Sequence, residues 1–134
     1  MLQQISIYAE NRLGMMQNIT QILEDAGVNI LGSVTNDSAE YGMVRMVVSD
    51  DEAAMAALKA NHFLCKKTAV LAVEIQDRPG ALNKLLKAVA ASNINVNYLY
   101  LSFDRENATP IIILHTDDVL EVEECLRGKG FVLH

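Results

Sequence analysis

Hydrophobic positions along the chain alternate between two periods, and the alternation occurs twice. Ile5 and Ile7, and later Leu71, Val73 and Ile75, appear at every second position, which predicts strands with one buried face. A glycine loop follows each strand. Met16, Ile19, Leu23 and Ala26, and in the second passage Leu82, Leu85, Leu86 and Val89, then recur at three- and four-residue spacing. That is the stripe of a helix packed on one side. The first helix is expected to stop at Gly27 and the second at Asn93, the two residue types that best tolerate a left-handed C-terminal cap.

The pattern then returns to strands. Second strands are predicted at about 30–35 and 96–103, and third strands at 42–48 and 111–115. The turn-rich Asp37-Ser38 and Asp104-Arg105-Glu106-Asn107 join them as hairpins. Ser49-Asp50-Asp51-Glu52 has capping-box spacing and opens a short helix through Leu58. Asp117-Asp118 opens its counterpart, with Val119, Val122 and Leu126 on one face. Phe63-Leu64 and Phe131-Val132-Leu133 are read as closing strands.

Superposing Asn11-Arg12-Leu13-Gly14-Met15-Met16 on Asp77-Arg78-Pro79-Gly80-Ala81-Leu82 gives an offset of 77 − 11 = 66. The same offset aligns Gly27-Val28-Asn29-Ile30 with Asn93-Ile94-Asn95-Val96. The chain therefore reads as two copies of one unit, 1–67 and 68–134. The order βαββαβ, twice, predicts an α+β protein: two tandem ferredoxin-like units, each a four-stranded antiparallel sheet with two helices on one face. A unit of this size buries only about 60% of its unfolded surface and is marginal alone. Two units stabilise each other by joining edges or faces, and a junction of units is a favoured place for a ligand.

Composition narrows the function classes. Of the 134 residues 51% are hydrophobic and 21% charged, enough apolar content for a packed core. The net charge of −6 argues against nucleic acid, whose binding rests on Lys and Arg at phosphates. No apolar run approaches the ~20 residues that span a bilayer, and no basic leader precedes an apolar segment. Cys65 and Cys125 stand apart, as two reduced thiols of a cytoplasmic protein. His62, His115 and His134 have no metal-ligand spacing, so neither a metal nor a cofactor is expected. No nucleophile–base constellation or phosphate loop is present in the sequence.

At Asp77-Arg78-Pro79-Gly80-Ala81-Leu82, with its amphipathic helix and Asn93-Ile94-Asn95-Val96, the chain resembles the ACT domain, a small regulatory module that binds amino acids. The passage from Asn11 to Met16, with Ala26 to Ile30, resembles a second copy, and together they cover nearly the whole length. The resemblance implies that a free amino acid binds where two units meet. Its carboxylate and ammonium are held by backbone groups of the first strand–helix loop, and second-strand residues of a neighbouring unit complete the pocket. On that basis the ligand-binding residues are Asn11, Leu13, Gly14, Met15, Met16, Asn29 and Ile30 in copy one, and Asp77, Pro79, Gly80, Ala81, Leu82, Asn95 and Val96 in copy two. The resemblance also implies a homodimer and a metabolic enzyme as regulated partner.

The physical chemistry of these residues agrees. Gly14 and Gly80 leave backbone amides open at a helix N-terminus, where the dipole favours a carboxylate. Asp77 offers a charge to an ammonium, which Asn11 lacks. Copy one departs in having Leu13 for Pro79 and the pair Met15-Met16, either a pliable wall for an apolar ligand or ordinary helix packing. Copy two keeps the fuller motif, and its loop is the expected principal site. Asn29 and Asn95 double as helix-exit caps, and Arg12 and Arg78 as solvated loop residues. A small ferredoxin-like enzyme and a purely structural oligomerisation subunit are the competing readings.

Overall fold

The computed structural model describes residues 1–10, 12–37 and 42–134. Asn11, and Ser38 of the first expected hairpin turn, lie outside the described residues. The elements run β1 (Leu2–Ala9), α1 (Met15–Asp25), β2 (Ile30–Asp37), β3 (Gly42–Val48), α2 (Asp51–Ala60), β4 (Leu64–Glu74), α3 (Ala81–Ala91), β5 (Tyr98–Asp104), β6 (Thr109–His115) and α4 (Val119–Gly128). The chain is α+β, and its contacts divide it into two compact units, Gln3–Thr68 and Ala69–His134 with Met1–Leu2.

In the first unit β1 pairs antiparallel with β3, placing Ile5 opposite Met46 and Ile7 opposite Val44. β2 lies on the other side of β3, with Thr35 opposite Val44. The side chains of Ile5, Ile7, Val44 and Met46 form one core with Ile19, Ile22 and Leu23 of α1 and Ala54, Met55 and Leu58 of α2. Fully burying one such Leu or Ile contributes about 1.5–3 kcal/mol. Lys67 bonds to Glu52 and, at 3.2 Å, to Asp51 in the first turn of α2. These bonds raise the Lys67 ammonium above its ordinary range, Glu52 contributing most.

The second unit repeats this arrangement. β4 pairs with β6 (Leu71 opposite Leu114, Val73 opposite Ile112), and β5 pairs with β6 on its far side. Leu71, Val73, Ile112 and Leu114 meet Leu85 and Val89 of α3 and Val122 and Leu126 of α4.

Three expectations need correction. Eight strands were expected, and six form among the described residues. The closing strand of copy one and the opening strand of copy two are a single strand, β4, because 64–74 contains no glycine, proline or turn residue to break it. Phe131-Val132-Leu133 contributes only a bridge, Val73 to Leu133, flanked by bonds from the Glu74 amide to Val132 and from the His134 amide to Ala72. The strands are also not buried on one face alone: Gln4 and Ser6 are as buried as Ile5 and Ile7, and Val70 and Ala72 as Leu71 and Val73. Finally, α2 is capped by Asp50, whose carboxylate accepts from the Ala53 amide at 3.0 Å. Ser49 instead accepts from the Asn29 amide at 2.9 Å and holds the approach to β2.

All four helices end alike. The residue after the cap is left-handed (Gly27 φ 71°, His62 φ 68°, Asn93 φ 57°, Gly130 φ 89°). At α1 the Gly27 amide bonds to Glu24 O and the Val28 amide to Leu23 O, and α3 repeats both bonds with Asn93 and Ile94. This is the Schellman arrangement, which occupies carbonyls that the helix leaves unpaired.

Candidate functional site

The two strand–helix loops share one backbone. In copy one the Met15 amide bonds to Arg12 O at 3.2 Å, and in copy two the Ala81 amide bonds to Arg78 O at 3.2 Å. Gly14 (φ 82°, ψ 0°) and Gly80 (φ 86°, ψ −5°) take the third position of each turn. Those angles belong to a type II turn, which requires positive φ there and favours proline one residue earlier. Pro79 meets that preference, and Leu13 stands in its place in copy one, fully exposed. Neither helix has a side-chain N-cap, since glycine at the cap position offers no side chain to the amides of the first turn. A Cβ at either glycine would meet nothing within 4 Å, so the space beside each turn is open.

Each loop is flanked by a cleft on the hairpin side. In the first unit the cleft has a volume of about 250 Å³ and is lined by Gly14, Met15, Met16, Thr35, Asn36 and Val44, among others. In the second it is about 480 Å³, lined by Asp77, Pro79, Gly80, Ala81, Leu82, Leu101 and Phe103, among others. A further cleft lies on the opposite side of each loop, of about 440 Å³ beside Asn61–Leu64 and about 550 Å³ beside Gly130–Val132.

Of the expected loop residues, Gly14, Met15 and Met16 line the first cleft and Asp77, Pro79, Gly80, Ala81 and Leu82 the second, while the second-strand residues do not join them within a unit. Asn29 and Ile30 follow the far end of α1, which at 11 residues is ~16 Å long. Asn95 and Val96 stand in the same relation to α3. The Asn29 amide bonds to Ser49, and the Asn95 amide group donates to Asn97 Oδ1 at 3.4 Å. The strand residues that do reach the loop of their own unit are Thr35 and Asn36, and Leu101 and Phe103. Sequence reasoning noted Leu101 in a Tyr-Leu strand but passed over Thr35, Asn36 and Phe103, although the antiparallel hairpin was legible and its geometry returns the end of the second strand to the loop.

The methionine pair separates. Met15 packs against the core, while Met16 is 38% exposed in the cleft and its sulfur accepts from the Thr35 hydroxyl at 3.9 Å. The inward stripe of α1 is Ile19, Ile22 and Leu23, and Ala26 is exposed. Arg12 pairs with Glu10 at 3.8 Å in an exposed contact of small energetic weight.

β5 begins at Tyr98, two residues later than read. Asn97 donates to Asp117 at 2.9 Å and lies 3.1 Å from His115 Nδ1, while Tyr98 stacks on the His115 ring with centroids 4.8 Å apart. These contacts hold the strand entry. Both cysteines are free, and burial pushes the Cys65 thiol up, away from the reactive thiolate. Among the described residues no three His, Cys, Asp or Glu side chains are grouped to hold a metal ion, and no helix is long and apolar enough to cross a membrane.

Comparison with known proteins places this geometry among relatives. No curated protein matches the chain. A solved protein of Bacteroides thetaiotaomicron is similar at 28% identity over 99% of this chain and 91% of its own, with a TM-score of 0.90. The regulatory subunit of aspartate kinase from Thermus thermophilus shares the fold at 16% identity, over 93% of this chain and 87% of its own, with a TM-score of 0.67. Its counterpart from Thermus flavus does so at 18% identity, over 93% and 88%, with a TM-score of 0.66. A family model described as an ACT domain pair matches residues 1–130.

Proposed function

The chain belongs to the ACT domain pair family, and on that premise we propose that it is a cytoplasmic regulatory protein, without catalysis of its own, that senses a free amino acid and modulates a partner enzyme. One observation carries the reading: two glycine turns of equal geometry (φ 82° and 86°) each open a helix N-terminus onto a cleft. Unpaired amides and the positive end of the helix dipole suit an α-carboxylate. The amides of Gly14 and Met16 supply them in copy one and those of Gly80 and Leu82 in copy two, with Met15 and Ala81 between them closing the turn through their own amides. Asp77 makes the Gly80 loop the principal site, because it places a carboxylate in the loop at the position where copy one has Asn11. Leu13 and Pro79 fix the turns from outside.

Asn11 belongs to the same loop by sequence. Asn29, Ile30, Asn95 and Val96 serve through a second copy of the chain, whose second strand brings them to a loop they do not reach in their own unit. Among the described residues β2 and β5 each pair with one neighbour, which leaves an edge for that second copy and supports a homodimer. Regulation follows by linkage: a ligand that favours one arrangement of the assembly shifts it for whatever enzyme is attached. Aspartate kinase, regulated in two of the structural relatives, exemplifies such a partner.

The test is thermal denaturation of ligand-free protein with each of the twenty amino acids. At ~100 times its dissociation constant the ligand adds about 2.7 kcal/mol, a shift of several degrees for a chain of this length. No shift with any amino acid at millimolar concentration contradicts the sensing role.

A further inference from the structure

Two clefts built on one backbone but floored by different side chains form an internal comparison, and the difference carries chemistry. Strand register makes Thr35 and Leu101 equivalent: Thr35 sits opposite Val44 and Leu101 opposite Ile112, and both partners belong to their unit's core. The first cleft thus has a hydroxyl where the second has an isobutyl group. The second also gains Phe103 and is nearly twice as large, about 480 against about 250 Å³.

Leu101 is 51% and Phe103 53% exposed, on an edge strand where large apolar side chains are normally avoided. Leu82 and Pro110 continue the same apolar lining. Among the described residues the charged groups lining this cleft are Asp77 and Arg78, both of the loop, and Gln76 and Asn83 are its other polar side chains. Polar groups of the loop and the large apolar side chains of β5 thus line one cleft, a combination that suits an α-amino acid with a large hydrocarbon side chain.

We propose that the Gly80 cleft selects an amino acid with a large aliphatic or aromatic side chain, and that Leu101 and Phe103 set this selectivity. The proposal rests on the sensing role above and adds the class of ligand. Apolar contact discriminates through the area it removes from water, whereas a hydroxyl or charged side chain placed against Leu101 and Phe103 loses its hydration without a partner.

The test is calorimetric titration of the intact protein with leucine, phenylalanine, serine, aspartate and lysine, repeated on Leu101→Thr. Leu101→Thr installs the residue of the other copy at a half-exposed site, and its melting temperature without ligand reports that the fold is kept. The expected result is tighter binding of leucine or phenylalanine than of the polar three. Leu101→Thr is expected to weaken it roughly tenfold or more. Preference for serine, aspartate or lysine, or unchanged leucine affinity in Leu101→Thr, overturns the proposal while sensing stands. Absence of binding by all twenty amino acids overturns the sensing role, and the proposal with it.

Discussion

At Gly14 and Gly80 a single backbone angle decides what the loop can do. Positive φ at the third turn position is costly for any residue with a Cβ, and it lets the next amide close the turn onto Arg12 or Arg78 where the helix begins. Pro79 shows what the preceding position prefers, so Leu13→Pro should stabilise the protein by about 0.5–1 kcal/mol by restricting the unfolded chain. Urea denaturation checks this as a raised midpoint with unchanged slope. His62 is strained in the same sense, being a β-carbon residue at φ 68° where the equivalent positions carry Gly27, Asn93 and Gly130. His62→Gly should therefore gain about 1 kcal/mol. The glycine and asparagine caps were legible because those residue types announce left-handed backbone, whereas histidine does not, and His62 passed as an unremarkable side chain. Met15 and Met16 were indistinguishable by type, since only the phase of the helix against the core sends one inward and leaves the other in the cleft.

Elements were read most securely where period and cap chemistry agreed. Asp118 accepts from the Glu121 amide at 3.0 Å as Asp50 does from Ala53. Replacing either by alanine should cost about 1 kcal/mol, measurable by chemical denaturation. The capping box placed the cap one residue early because Ser49 and Asp50 are both good caps, and the bond between Ser49 and Asn29 removes one from the competition. The fused strand β4 was illegible as one element, since a repeat boundary suggests a break that the residues themselves do not supply.

The hairpin between β5 and β6 is held by Asp104, whose carboxylate accepts from the Asn107 side-chain amide at 2.8 Å and the Glu106 amide at 3.1 Å. The Asn107 bond, first among the causes, keeps the carboxyl below its ordinary 3.8. A folded value below the unfolded one gives a contribution that is present above 3.8 and lost as pH falls through the folded value. Asn107→Ala should move the Asp104 titration back up toward 3.8, as a carboxyl-detected nuclear magnetic resonance titration would record.

For the whole molecule, 134 residues are taken up by two units of one family, each carrying a loop of the same geometry. The repeat, its family and the loops were legible because glycine, proline and helix-stop residues are punctuation that survives divergence. The cleft floors were not, because they depend on which end of a hairpin strand returns to the loop. The central claim is that an amino acid's carboxylate rests on the amides after the glycine turn. An amide-resolved nuclear magnetic resonance titration with the stabilising amino acid tests it most directly. The account predicts that at saturation the largest shifts fall on Gly80, Ala81 and Leu82, with Gly14, Met15 and Met16 responding if the first loop is also filled. Saturable binding that leaves both sets of amides unmoved would contradict it.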